Sequence, residues 1–194
     1  MKKELKILLT AYCFSTFAFS MLSPIYAIFV EEIGGGILEA SYAIAIFTFI
    51  SGLLIMLFSR FGDNVRHQEK LISAGYLINA AGFFMYAFVT KPVHLYVVEI
   101  LFGIGIAILS PVFDGLYSKY LDRGKYISEW GDWEALGYMI SSLSALFGGA
   151  LASMFGFKTL FFTMAGLSLV AMFVSLTLKE PKSKKIKLTK LLKK

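Results

Sequence analysis

The sequence predicts an all-α polytopic membrane protein with six transmembrane helices. Three observations carry that expectation. Of 194 residues, 57% are hydrophobic and only 16% charged, against about 45–50% and about 25% in an ordinary soluble domain. The apolar residues gather into six runs, each close to the roughly 20 residues a helix needs to cross a bilayer. The basic residues collect on one side of those runs, as the positive-inside rule requires of a membrane protein. With 19 Phe and 10 Tyr the chain is not disordered. Its net charge of +6 is not that of a nucleic-acid binder, which needs a basic face on a soluble fold. The lone Cys13 allows neither an internal disulfide nor a thiolate metal cage.

The spans are expected at residues 7–30, 37–58, 71–90, 93–117, 128–155 and 158–178. Continuous apolar runs indicate helices, since barrel strands alternate polar and apolar. The first run follows Lys2, Lys3 and Lys6, as in a signal peptide. It is longer than the roughly 7–15 residues of a signal core and lacks a small-residue cleavage site, so it reads as a span. Of the 19 Lys and Arg residues, only Lys91 and Lys158 fall on the other side, at the turns after the third and fifth spans; the others fall at the N-terminus, after the second and fourth spans, and in the tail. That bias puts both termini in the cytoplasm of a cell (inner or plasma) membrane protein and points every copy the same way.

Ionisable residues inside a span cost roughly 2.5–3.5 kcal/mol each, which makes them functional candidates. The fourth span holds Glu99 and Asp114. At about 100° per residue, Gly103, Ser110 and Asp114 lie within about 60° of Glu99, with Pro111 nearby, so one face is small, polar and kinkable. For Glu99 the alternative is a structural hydrogen bond; for Asp114 it is a place at the interface. The fifth span aligns Glu134, Gly137, Ser141, Ser144 and Gly148, a stripe that also suits close helix packing. At its start, Glu129, Asp132 and Glu134 flank Trp130 and Trp133, two interfacial anchors; with Arg123 and Lys125 these acids form a candidate charge-paired gate. The first span aligns Tyr12, Thr16, Ser20 and Ser23 ahead of Pro24, though hydroxyls also bond back to their own helix. Interrupted helices at matching positions of two three-helix units point to a transporter's cavity.

The loop after the second span reads S-R-F-G-D-N-V-R-H, with Ser59, Asp63, Asn64, Arg66 and His67 along the pattern G-x-x-x-D-R-x-G-R-R. The fourth span sets Glu99, Gly103, Gly105, Ala107 and Pro111 on the pattern R-x-x-x-G-x-G-x-A-x-x-x-P. In both, the chain resembles the major facilitator superfamily of transporters, with Glu99 in place of an arginine. The resemblance implies a six-helix half of such a transporter, built from two inverted three-helix repeats. It implies no enzyme activity, no cofactor and no metal. It further implies a small-molecule solute moved by alternating access, a parallel homodimer to close the cavity, and a cavity on the first and fourth helices. There Tyr12, Thr16, Ser20, Ser23, Glu99, Gly103 and Ser110 are the candidate solute residues, and Glu99 is a possible proton or cation site. Asp63, Arg66, Asp114, Arg123 and Glu134 are the candidate gate.

Two other readings compete. A membrane-embedded CDP-alcohol phosphotransferase needs D-G-x-x-A-R and a downstream pair of acids. Here Ser118 and Lys119 follow Asp114-Gly115, and Asp132 has no partner four residues on, too few carboxylates for a metal pair. A non-transporting accessory subunit fits the same residues. The tail, residues 179–194, holds eight Lys among Ile186, Leu188, Leu191 and Leu192, the makings of a short amphipathic segment on the anionic inner leaflet.

Overall fold

A computed structural model describes residues 1–62 and 67–178, and every regular element among them is helical. Asp63, Arg66 and the basic tail lie outside the described residues. Helices are what lipid demands, because each backbone N–H and C=O is then satisfied within its own segment. Helix α1 (Lys3–Leu22) leads through a 3₁₀ turn (Ser23–Ile25) into α2 (Tyr26–Glu32). Pro24 lies in that turn; lacking an N–H, it cannot bond to the carbonyl four residues back, and the helix tightens there instead of continuing. The expected first span is thus a broken helix from Lys3 to Glu32.

Helix α3 (Ile37–Gly62) and helix α5 (Pro92–Tyr120) overrun the expected second and fourth spans by a few residues. Pro92 opens α5 at a position whose N–H needs no partner, and α5 continues through Pro111. Helix α4 (Gln68–Tyr86) begins earlier and ends earlier than the expected third span, residues 87–91 forming its turn. With Gln68, Glu69 and Lys70 in its first turn and Asn79 inside, α4 is not among the four helices long and apolar enough to cross a membrane by themselves; those are Lys3–Glu32, Ile37–Arg60, Pro92–Tyr120 and Tyr126–Leu176.

The last two expected spans run together as α6 (Tyr126–Leu176), 51 residues divided by Gly156. Gly156 has φ 80° and ψ 166°, a conformation that side-chain-bearing residues rarely adopt. It separates an upstream arm (126–155) from a downstream arm (157–176). No loop is needed, because one glycine redirects the chain.

The arms pack on different partners. On the upstream arm, Ser144 donates to the Phe17 carbonyl of α1, and Ser20 and Ser141 share a hydrogen bond of 2.9 Å. On the downstream arm, Ser168 donates to the Tyr76 carbonyl of α4 at 2.9 Å, and Ser175 meets Ser73 at 2.7 Å. Helix α5 packs on α3 through Gly103 and on α4 through Gly105. Hydroxyls and small residues thus supply the contacts that the hydrophobic effect cannot supply between helices in lipid. Swapping the first three segments with the last three carries the α1–upstream pair onto the α5–α3 pair and leaves the α4–downstream pair on itself. Two cores fill the ends: one around Phe29, Phe83, Tyr86, Phe102 and Phe161, the other around Leu8, Tyr76, Leu116 and Tyr117.

Candidate functional site

The break after α1 and the fourth expected span meet at one place. The 3₁₀ turn rotates Tyr26 out of the line of α1, and its hydroxyl donates to Glu99 Oε1 at 2.6 Å. Tyr86, the last residue of α4, donates to the same oxygen at 2.6 Å. Glu99 is 5% exposed. Three helical segments therefore converge on one carboxyl group, held by two short hydrogen bonds. Glu99 stands on the wall of a cavity of about 250 Å³, among Phe19, Phe47, Phe83, Phe102 and Met164, with Ser23, Ile44 and Thr48 exposed at its mouth.

A second open cavity of about 270 Å³ lies between α1 and the upstream arm, lined by Tyr12, Trp133, Glu134, Gly137, Tyr138 and Ser141. A Cβ on Gly137 would come within 2.6 Å of the Tyr12 hydroxyl, so the small residue makes room for the ring. The Trp133 indole N–H faces no hydrogen-bond partner among the described residues. Tyr12 also stacks toward Trp133 and Phe113, with ring centres 5.5 and 5.7 Å apart.

The candidate residues thus divide. Ser23 and Glu99 share the first cavity, Tyr12 and Glu134 the second, and Ser20 lies between them on its bond to Ser141. Thr16 and Ser110 are half-buried. Gly103 serves packing: a Cβ there would fall 2.7 Å from Ile50 of α3. Asp114 and Arg123 are exposed, and Asp63 and Arg66 lie outside the described residues.

Two acids after α5, Asp122 and the expected Glu129, find partners among the described residues. Instead of Arg123 and Lys125, the ion pairs formed there come from the chain's own start: the Met1 ammonium lies 3.3 Å from Asp122, and Lys2 3.6 Å from it. Lys2 also donates to the Tyr120 and Leu121 carbonyls, each at 3.0 Å. Buried Glu129 accepts from the Asp122 N–H at 2.8 Å, and Tyr117 donates to the Glu129 carbonyl. The hydrogen bond from the Met1 ammonium, helped by Lys2, holds the Asp122 carboxyl below its ordinary range. Trp130 and Trp133 pack with Tyr117, centres 4.8 and 6.1 Å away, so both rings help close a core.

Tyr26 and Tyr86 are the site residues that sequence reasoning missed. Neither lies in a motif, and the only signal was their place beside a proline break and a helix end.

Known proteins bear on this arrangement. Quinolone resistance protein NorB of Staphylococcus aureus strain bovine RF122 / ET3-1 is 26% identical over 189 residues, 95% of this chain and 39% of its own length. The NorB proteins of strains JH9 and Newman match to the same extent. The chain therefore spans about 39% of the length of these relatives. A family profile described as Major Facilitator Superfamily matches residues 8–193, nearly the whole sequence. With that match, the broken first helix and the small-residue fourth span, the chain belongs to the Major Facilitator Superfamily.

Proposed function

We propose that the chain is one six-span half of a membrane transporter, not an enzyme, and that it moves a small solute by alternating access. The observation that carries this reading is the single buried carboxylate on the wall of an open cavity, in a chain of a transporter family. The cavity's volume of about 250 Å³ falls short of the roughly 300–1,000 Å³ of ligand pockets, and its mouth is open at Ser23 and Thr48. A second half completes it, and a parallel second copy supplies that half, since cyclic pairs are the commonest assembly of identical chains. Glu99 is the proton or cation site, and the Asp63 and Arg66 loop is the inner gate. The protein sits in the cell membrane with both termini in the cytoplasm, as the Lys and Arg bias favours.

The relatives' names make a quinolone the first solute to try. In liposomes carrying a pH gradient, the purified chain is expected to drive saturable quinolone flux, and Glu99→Gln to lower gradient-driven flux roughly tenfold or more. Native mass spectrometry is expected to report a dimer. Flux that ignores both the gradient and Glu99→Gln removes the coupling, and a strict monomer removes the homodimer.

A further inference from the structure

Helix α4 and the downstream arm run antiparallel, with Phe84 beside Phe162, Tyr76 beside Ser168 and Ser73 beside Ser175. On α4, Leu77, Ala81 and Phe84 recur at three- and four-residue steps and so share a face, and all three are exposed. Phe88, on the turn that follows, packs on Phe84. On the arm, Phe162 and Gly166 share an exposed face in the same way. The ring centres of Phe84, Phe88 and Phe162 lie 5.2 to 6.3 Å apart, so the two faces meet as one surface. Beyond the rings the surface drops, because Ala81 is small and a Cβ on Gly166 would meet open space. From Leu77 to Phe88 this trough is roughly 16 Å long at 1.5 Å per residue, close to half of the roughly 30 Å hydrocarbon core. At its ring end the Lys158 ammonium stands 5.6 Å from the centre of the Phe88 ring. Phe29 brings α2 against Phe157 and Phe161, yet exposed Lys158 forms no ion pair among the described residues, with Glu31 and Glu32 of α2 or with any other acid. An aromatic face attracts an ammonium but does not neutralise it.

We propose that this trough binds a membrane phospholipid with a net negative head group, its phosphate on Lys158 and one acyl chain along the floor at Ala81 and Gly166. The lipid supplies the counter-charge that no acidic side chain provides, as basic residues at membrane level do for anionic head groups. The three rings cover the first carbons of the chain, and the floor between α4 and the downstream arm takes the rest. The match between the trough and one leaflet lets head group and chain engage together. Ordinary boundary lipid differs, because it meets rings and methyls without a fixed charge and shows no preference among head groups. The inference concerns the outside of the bundle, so it stands independently of the solute and of how it is moved.

The test uses the full chain in mild detergent with dioleoyl phosphatidylglycerol and dioleoyl phosphatidylcholine added together in equal amounts. Native mass spectrometry then counts the lipid each chain retains. The first lipid retained is expected to be the phosphatidylglycerol, by roughly fivefold or more over the zwitterionic lipid of the same chains. Lys158→Gln is expected to bring that ratio to about one, and Lys158→Arg to keep it, since the charge stays. Gly166→Leu fills the floor and is expected to lower retention of both lipids roughly threefold or more. Ala81→Leu fills it from the α4 side and carries the test if Gly166→Leu fails to fold. Equal retention of the two lipids by the parent overturns the inference, as does a phosphatidylglycerol preference that survives Lys158→Gln. Retention unmoved by both Gly166→Leu and Ala81→Leu overturns the placing of the chain, and with it the site.

Discussion

Gly148 and Gly149 are neighbours with opposite duties. A Cβ on Gly148 would fall 2.2 Å from the Met21 carbonyl oxygen, whereas one on Gly149 would meet open space. The clash is with backbone, which cannot rotate away as a side chain would, so α1 and the upstream arm would have to separate. Gly148→Ala is therefore expected to cost about 1–3 kcal/mol, and Gly149→Ala to stay within about 0.5 kcal/mol of the parent. Thermal unfolding in detergent measures both, and equal effects would refute the assignment. The sequence distinguishes the two residues beforehand: Gly148 lies on the stripe with Gly137, Ser141 and Ser144, and Gly149 lies one step off it. Glu99 is legible for a similar local reason, as an ionisable group in an apolar run. Its partners are not, because Tyr26 and Tyr86 stand 73 and 13 positions away. Only the 3₁₀ turn and the end of α4 bring them in, and no helical periodicity encodes a contact made by leaving the helix.

At the scale of elements, the start of α1 is fastened to the connection between α5 and α6. Met1 and Lys2 hold Asp122, and Asp122 holds Glu129 at the head of α6 through its own N–H. The folded Asp122 carboxyl is held below its ordinary value of 3.8, first by the hydrogen bond from the Met1 ammonium. A depressed acid contributes stability that is present above the unfolded value and lost as pH falls through the folded one. The tether should therefore survive from neutral pH down to 3.8 and release only below it. Hydrogen exchange over the first turns of α1 checks this: protection persists above that pH in the parent, and Asp122→Asn loses it already at neutral pH. Early release in the parent, or unchanged protection in the variant, would show that the tether does not bind the two elements. Sequence reasoning gathered Glu129 with Asp132 and Glu134, without Asp122, and set them beside Arg123 and Lys125, their nearest cations along the chain. The fold instead presents cations from its far end, more than a hundred positions away. The Gly156 break was legible as the gap between two apolar runs, though its reduction to a single residue was not, since only the backbone angle reveals it.

At the scale of the whole molecule, the helix pairings and the charge bias describe one object from two directions. The interchange of α1–upstream and α5–α3 pairs is what two repeats of three segments produce. In the sequence only the Pro-interrupted first and fourth spans hint at such repeats, because a packing relation survives when the residues that make it diverge. The ends of the bundle are chemically distinct. Lys158 lies over the Phe88 ring at 5.6 Å, so the turn after α4 and the start of the downstream arm share one end. Met1 and Lys2 meet residues 120–122 at the other. The first end holds Lys91 and Lys158, the two Lys or Arg residues that the proposed orientation places outside the cytoplasm. Orientation thus becomes a question about three positions. In a Cys13→Ser background, single cysteines at Lys91, Lys158 and Lys125 are exposed to a membrane-impermeant maleimide on intact cells. Lys91→Cys and Lys158→Cys are expected to react at once, and Lys125→Cys only after permeabilisation, since a Lys costs several kcal/mol to carry across the hydrocarbon. Reaction of Lys125→Cys on intact cells with Lys91→Cys protected would reverse the topology. Reaction of Lys91→Cys and Lys158→Cys on opposite sides would instead break the shared end that the Lys158–Phe88 contact defines.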